Sequence, residues 1–152
     1  VQEPADDQHV RLVHRIHAGD IEHGGISAAK LKRELLQLGV DPVDARRAGI
    51  IAFEAEINLM IYAIDGGTLT VTVTDRVIDI VVEDSGPGIE DIDLALTPGF
   101  STAPDWATNL GFGAGMGLCN MEANADGFEI RSDVEQGTRI LCRIERRKRD
   151  AA

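Results

Sequence analysis

The chain has 152 residues, the size of one ordinary domain of about 100–150 residues. Hydrophobic residues make up 43% and charged ones 27%, which excludes a mainly disordered chain and allows a core without disulfide or metal staples. Lys and Arg number 15 against 26 Asp and Glu, a formal charge of −11, which excludes general binding to nucleic acid or anionic membrane.

A polyanion bound by such a chain must be held locally, by backbone N–H groups or through a metal. No stretch approaches the ~18 apolar residues of a membrane span. No basic-then-apolar leader follows Val1. The expectation is a cytoplasmic protein without membrane contact. Cys119 and Cys142 are too few for a disulfide framework and read as reduced thiols. Seven of the 16 glycines fall between Gly86 and Gly117, which suggests backbone closely approaching a ligand there.

In chain order, residues 1–8 are polar and read as a frayed end. His9 to His17 alternates, with Val10, Leu12, His14 and Ile16 on one face, and predicts an edge strand. Ser27 is the expected cap of an amphipathic helix to Leu38, with Leu31, Leu35, Leu36 and Leu38 as its buried stripe and Gly39 as its stop. Asp41-Pro42 starts a second helix running to Ala63. Thr68 to Thr74 predicts a strand with threonines facing solvent, and the more apolar Val77 to Asp84 a central one. Asp75-Arg76 is the turn between them. Glu90 to Leu96 reads as a short helix, Thr97 to Phe112 as a loop, and Ala114 to Ala125 as a helix. Phe128 to Val134 and Thr138 to Ile144 read as a closing hairpin. The basic tail from Glu145 to Asp150 reads as a solvated end, with 146–152 frayed. This order implies an α+β fold with mostly antiparallel strands and helices segregated to one face, all in a single domain over 1–152.

Three features carry chemistry. The helix from Gly49 to Ile64 is apolar on nearly every side, yet it holds Glu54 and Asn58 one turn apart on one face. An unpaired buried carboxylate is costly, so that face meets a partner group or opens on a cavity. Glu56 falls on another face and reads as surface. Next, Asp84-Ser85-Gly86-Pro87-Gly88-Ile89 leaves the most apolar strand. There a carboxylate could accept from a ligand amine, and glycines would leave room for a flat ring; a plain turn is the alternative. Last, Gly111, Gly113, Gly115 and Gly117 alternate before a helix, which makes an anion cradle of backbone N–H groups. The spacing is neither a Walker loop nor a dinucleotide fingerprint. The four histidines form no metal-ligand pattern.

Taken together, Glu54 to Asn58, the Asp84 turn, Gly99-Phe100-Ser101-Thr102 and the Gly111 to Leu118 segment resemble the GHKL ATP-binding superfamily, the Bergerat fold. The resemblance runs from Ala28 to Ile144. It is nearest to the anti-sigma-factor serine/threonine kinase branch and the switch kinases of bacterial stress responses. It implies a two-layer sandwich: a mixed, mostly antiparallel sheet of about five strands with about three helices on one face. It implies ATP or ADP and Mg²⁺ as ligands. It makes Glu54 the general base and Asn58 the Mg²⁺ ligand, with Asp84 accepting from the adenine amine and Gly86, Gly88 and Ile89 around the base. Ser101 and Thr102 become hydroxyl donors, and Gly113, Gly115, Met116, Gly117 and Leu118 the phosphate-holding segment. The implied reaction is γ-phosphoryl transfer to a Ser or Thr of a small STAS-type antagonist domain; a sigma factor or phosphatase-like regulator is the other kind of partner. The alternative is a nucleotide-gated binding module without transfer. Relatives include dimers and monomers, so a homodimer stays open. Two departures stand out. Leu59-Met60-Ile61-Tyr62 occupies the turn where many relatives carry a basic residue. The stretch Ala103 to Asn109, with Trp106, is longer than in the switch kinases.

Overall fold

Period-two alternation of apolar and polar residues builds five strands, which the computed structural model describes with the helices over residues 9–19, 21–103 and 116–147. They are β1 (Val10–Ile16), β2 (Gly67–Val73), β3 (Val77–Glu83), β4 (Gly127–Asp133) and β5 (Gly137–Glu145). The order is β1-β2-β3-β5-β4, and every pairing among the described residues is antiparallel. β1 is an edge and β3 the centre, as their sequences imply. Leu69, Val71 and Val73 of β2, Ile78, Ile80 and Val82 of β3, and Ile140, Cys142 and Ile144 of β5 are buried on one face. Thr68, Thr70 and Thr72 take the other, less covered face. Each fully buried Leu or Ile contributes about 1.5–3 kcal/mol.

The helices are α1 (Ile26–Gln37), α2 (Pro42–Tyr62), α3 (Ile92–Ala95) and α4 (Gly117–Asn124). α1 lies over β1, α2 over β2, β3 and β5, and α4 over β4 and β5, giving two layers. α2 is packed from several sides because Ala45, Ala48, Ala52 and Ala55 let its neighbours approach. Its start is fixed by the Asp41 carboxylate, which accepts from Val43 N–H at 2.8 Å, and by Pro42 in the first turn. No helix among the described residues is long and apolar enough to cross a membrane.

Four expectations are corrected. α1 is not capped by Ser27: its N-cap is Gly25, at φ 96°, and no side chain of its own first turn caps it. The cap comes from α2 instead. Glu56, only 1% exposed, accepts from Ser27 N–H at 3.3 Å and Ala28 N–H at 3.1 Å. Glu56 is therefore core rather than surface, because the orphan N–H groups and positive end of α1 need a carboxylate there. Leu36 and Leu38 are exposed, and the buried stripe is Ala28, Leu31 and Leu35, continued by Val40. The chain turns sharply at Gly39: Gly39 N–H donates to Leu36 O and Val40 N–H to Leu35 O, a Schellman stop that carries Val40 inward and leaves the leucines outside. The tail begins docked rather than solvated. Arg146 donates to Thr74 O and Arg76 O, and Arg147 N–H donates at 2.8 Å to Asp44, which is fully buried. Both cysteines are free; burial pushes the Cys142 thiol up to about 12.

Candidate functional site

Glu54 and Asn58 face one cavity of about 730 Å³, within the ~300–1,000 Å³ range of small-molecule sites. Asp84, Gly88 and Ile89 line it from the turn after β3. Ser101 and Thr102 line it from the loop after α3, and Met116, Gly117 and Leu118 from the start of α4. The structure thus brings together most of the residues singled out in the sequence. Gly86 is the exception: it is buried, lies outside the lining, and donates its N–H to Asp84 Oδ1 at 2.9 Å. It shapes the turn instead of facing the cavity. At Gly88, φ is 82° and a β-carbon would collide with the Asp133 carbonyl, so only glycine fits. Gly113, Gly115 and Trp106 lie outside the described residues.

Asp84 is held by backbone. Its Oδ1 accepts from Gly86 N–H and, at 3.3 Å, from Thr138 N–H. Burial pushes its carboxyl pKa above the ordinary carboxylate value, and the two N–H bonds offset that only in part. Oδ2 takes no hydrogen bond among the described residues, so it is available to accept from a ligand amine in the cavity.

Where α4 meets α2, Gly117 lies against the Asn58 amide: a β-carbon there would sit 3.0 Å from Oδ1. The bare glycine keeps open the space beside a hard oxygen donor. An amide oxygen with room for water and phosphate oxygens fits the habits of Mg²⁺. No Lys or Arg lines the cavity among the described residues, whereas Glu54, Asp84, Glu90 and Asp91 do. Nor does the sequence from Thr97 to Gly117 contain any Lys or Arg. Phosphate charge brought here has no cationic side chain to meet it among the described residues, which leaves backbone N–H groups or a metal.

Three residues escaped the sequence reading. Asn120 donates its side-chain amide to Glu54 Oε1 at 3.0 Å. Its place three residues after Gly117 was the available signal. Tyr62, one turn beyond Asn58, bonds through its hydroxyl to Ser101 Oγ at 3.2 Å and ties α2 to the 97–103 loop. Its i+4 spacing was legible. Thr138 supports Asp84 by its N–H and joins Ser132 through its hydroxyl at 2.8 Å. Nothing local in sequence announces a contact across 54 residues.

Comparison with known proteins gives the family. Residues 43–148 match the family model described as "Histidine kinase-, DNA gyrase B-, and HSP90-like ATPase". The serine/threonine-protein kinase RsbT of Bacillus subtilis is 33% identical over 119 residues, 76% of this chain and 84% of that protein. An anti-sigma F factor of Clostridium acetobutylicum is 33% identical over 94 residues, 59% of this chain and 62% of that protein. One of Clostridium kluyveri is 32% identical over 72 residues, so the chain spans about half the length (47%) of that relative. The mycobacterial sensor histidine kinase MprB superposes with a TM-score of 0.52 at 15% identity, covering 91% of this chain and 99% of that one, which is a likeness of fold. The chain belongs to the GHKL family of ATPase domains, the histidine kinase-, gyrase B- and HSP90-like ATPases.

Proposed function

We propose that this chain is a cytoplasmic ATP-dependent protein serine/threonine kinase domain that acts as a partner switch. What supports the reading is one observation: the Glu54–Asn58 face and the Asp84 carboxylate line the same cavity. The Bacillus subtilis relative, named a serine/threonine-protein kinase, supports it at the level of homology. In this reading Asp84 Oδ2 accepts from the adenine amine and so favours ATP over GTP. Asn58 holds Mg²⁺ through its amide oxygen, and Ser101 and Thr102, with the Gly113 to Leu118 segment, contact the phosphates. The metal, when bound, offsets phosphate charge. The acceptor hydroxyl oxygen attacks the γ-phosphorus, its proton passes to the Glu54 carboxylate, and the bond to the β-phosphate oxygen breaks to release ADP. The acceptor is a Ser or Thr on a small antagonist domain of the STAS type. A sigma factor or phosphatase-like regulator is the second class of partner; the names of the anti-sigma F relatives support the sigma-factor choice.

The test compares wild type with Glu54→Gln. Mg-ATP affinity by calorimetry stays within a few-fold, while γ-phosphoryl transfer falls by ~10²–10⁴-fold. Equal transfer by the variant would leave a nucleotide-gated binder in place of the kinase.

A further inference from the structure

The Glu54 carboxylate takes one hydrogen bond among the described residues, from the Asn120 side-chain amide at 3.0 Å. Both side chains line the cavity. Asn120 is itself well fixed. Its backbone N–H donates to Met116 O at 2.9 Å, and its carbonyl accepts from Asn124 Nδ2 at 2.8 Å. The far end of α4 is clamped to α2 by Arg47, whose Nε donates to Asn124 O at 3.0 Å while its other nitrogens pair with Asp126. The first turn of α4 touches both Asn58 and Glu54 of α2: Gly117 meets Asn58, and Asn120 meets Glu54.

We propose that Asn120 is a positioning residue, fixing Glu54 Oε1 so that Oε2 is the oxygen left to take a proton from the acceptor. The inference rests on the reading of Glu54 as base. An amide suits the task because it donates without titrating across the neutral range and so never competes for the transferred proton. The other titratable groups lining the cavity are Tyr62 and the acidic Asp84, Glu90 and Asp91, so among the described residues no cationic side chain could do the same work. A carboxylate fixed at one oxygen keeps the other near its attack geometry, where small misplacements are expensive in rate. Because Asn120 and Gly117 share one turn, whatever seats the start of α4 on the nucleotide also sets the base.

The test uses the full chain and Mg-ATP, with water as acceptor and inorganic phosphate as readout. Asn120→Ala lowers kcat about tenfold, with KM and Mg-ATP affinity unchanged within twofold. Asn120→Gln, which keeps a donor amide, recovers part of the loss. In the Glu54→Gln background Asn120→Ala has no further effect, as expected of a residue that acts only through Glu54. A second readout needs no turnover: the Asn120 side-chain amide resonances move in Glu54→Ala, which removes the oxygen they donate to. An inactive Glu54→Gln beside an unimpaired Asn120→Ala overturns the positioning role alone. Undiminished release by Glu54→Gln overturns the base reading itself; where wild type releases no phosphate above the protein-free blank, unmoved Asn120 amide resonances in Glu54→Ala overturn the positioning role. Additive losses in the double variant would make Asn120 merely structural.

Discussion

Gly117 and Asn58 meet with no side chain between them, and a β-carbon at position 117 would stand 3.0 Å from the Asn58 amide oxygen and 3.2 Å from its nitrogen. Gly117 is the first residue of α4, where alanine gains only part of its helix-interior advantage of about 1 kcal/mol and Asn58 must give way to the new β-carbon. Stability should therefore change little while ligand affinity falls. Gly117→Ala should melt within a few degrees of wild type without nucleotide, yet bind Mg-ATP about tenfold or more weakly. Melting curves and calorimetry on the same samples check both halves. A variant that binds normally would show that Asn58 does not need the gap.

The Asp84 carboxyl titrates above its ordinary value, chiefly through burial. A ligand amine donates best to the ionised form. Affinity for Mg-ATP is then fully present above that raised pKa and falls as pH drops through it. The sign for folding is opposite: an acid with raised folded pKa stabilises the fold below its unfolded pKa, and that contribution is lost as pH rises through the folded one. Asp84→Asn should flatten the pH dependence relative to wild type and weaken Mg-ATP by ~10–150-fold at neutral pH. Calorimetric titrations of both proteins across mildly acidic to neutral pH measure the difference.

Glu56 is a structural carboxylate. Its removal strands two N–H groups at the start of α1. Glu56→Ala should cost about 2–4 kcal/mol, lowering Tm by roughly 5–15 °C. Glu56→Gln, keeping one acceptor oxygen, should cost less. Thermal denaturation followed by circular dichroism separates the two.

The polar framework was legible wherever it was local. Glu54 and Asn58 share a face because they are four apart. The Asp84-to-Ile89 turn declares itself through its acid and glycines, and Tyr62 follows Asn58 by one more turn. Glu56 was not legible in this way. On a helix covered from several sides, periodicity does not say which neighbour covers which face, and the groups that Glu56 caps lie 28 and 29 residues earlier. Thr138 reaches Asp84 only because β3 pairs with β5, with α3 and α4 between them in sequence. Leu36 and Leu38 kept the helical apolar spacing but fell outside the core, because the Gly39 stop redirects the chain at Val40. Arg146 and Arg147 looked like the start of a free basic tail, and only the fold brings Thr74 and Asp44 to them.

Adenine nucleotide entering this cavity should bring a divalent cation with it, since no cationic side chain lines it among the described residues. Isothermal titration of the full chain with Mg-ATP, Mg-GTP and ATP in excess EDTA measures this. Mg-ATP should bind saturably and one to one, Mg-GTP at least about tenfold more weakly, and ATP in EDTA not at all. Equal affinity for all three, or no heat with Mg-ATP, would contradict it.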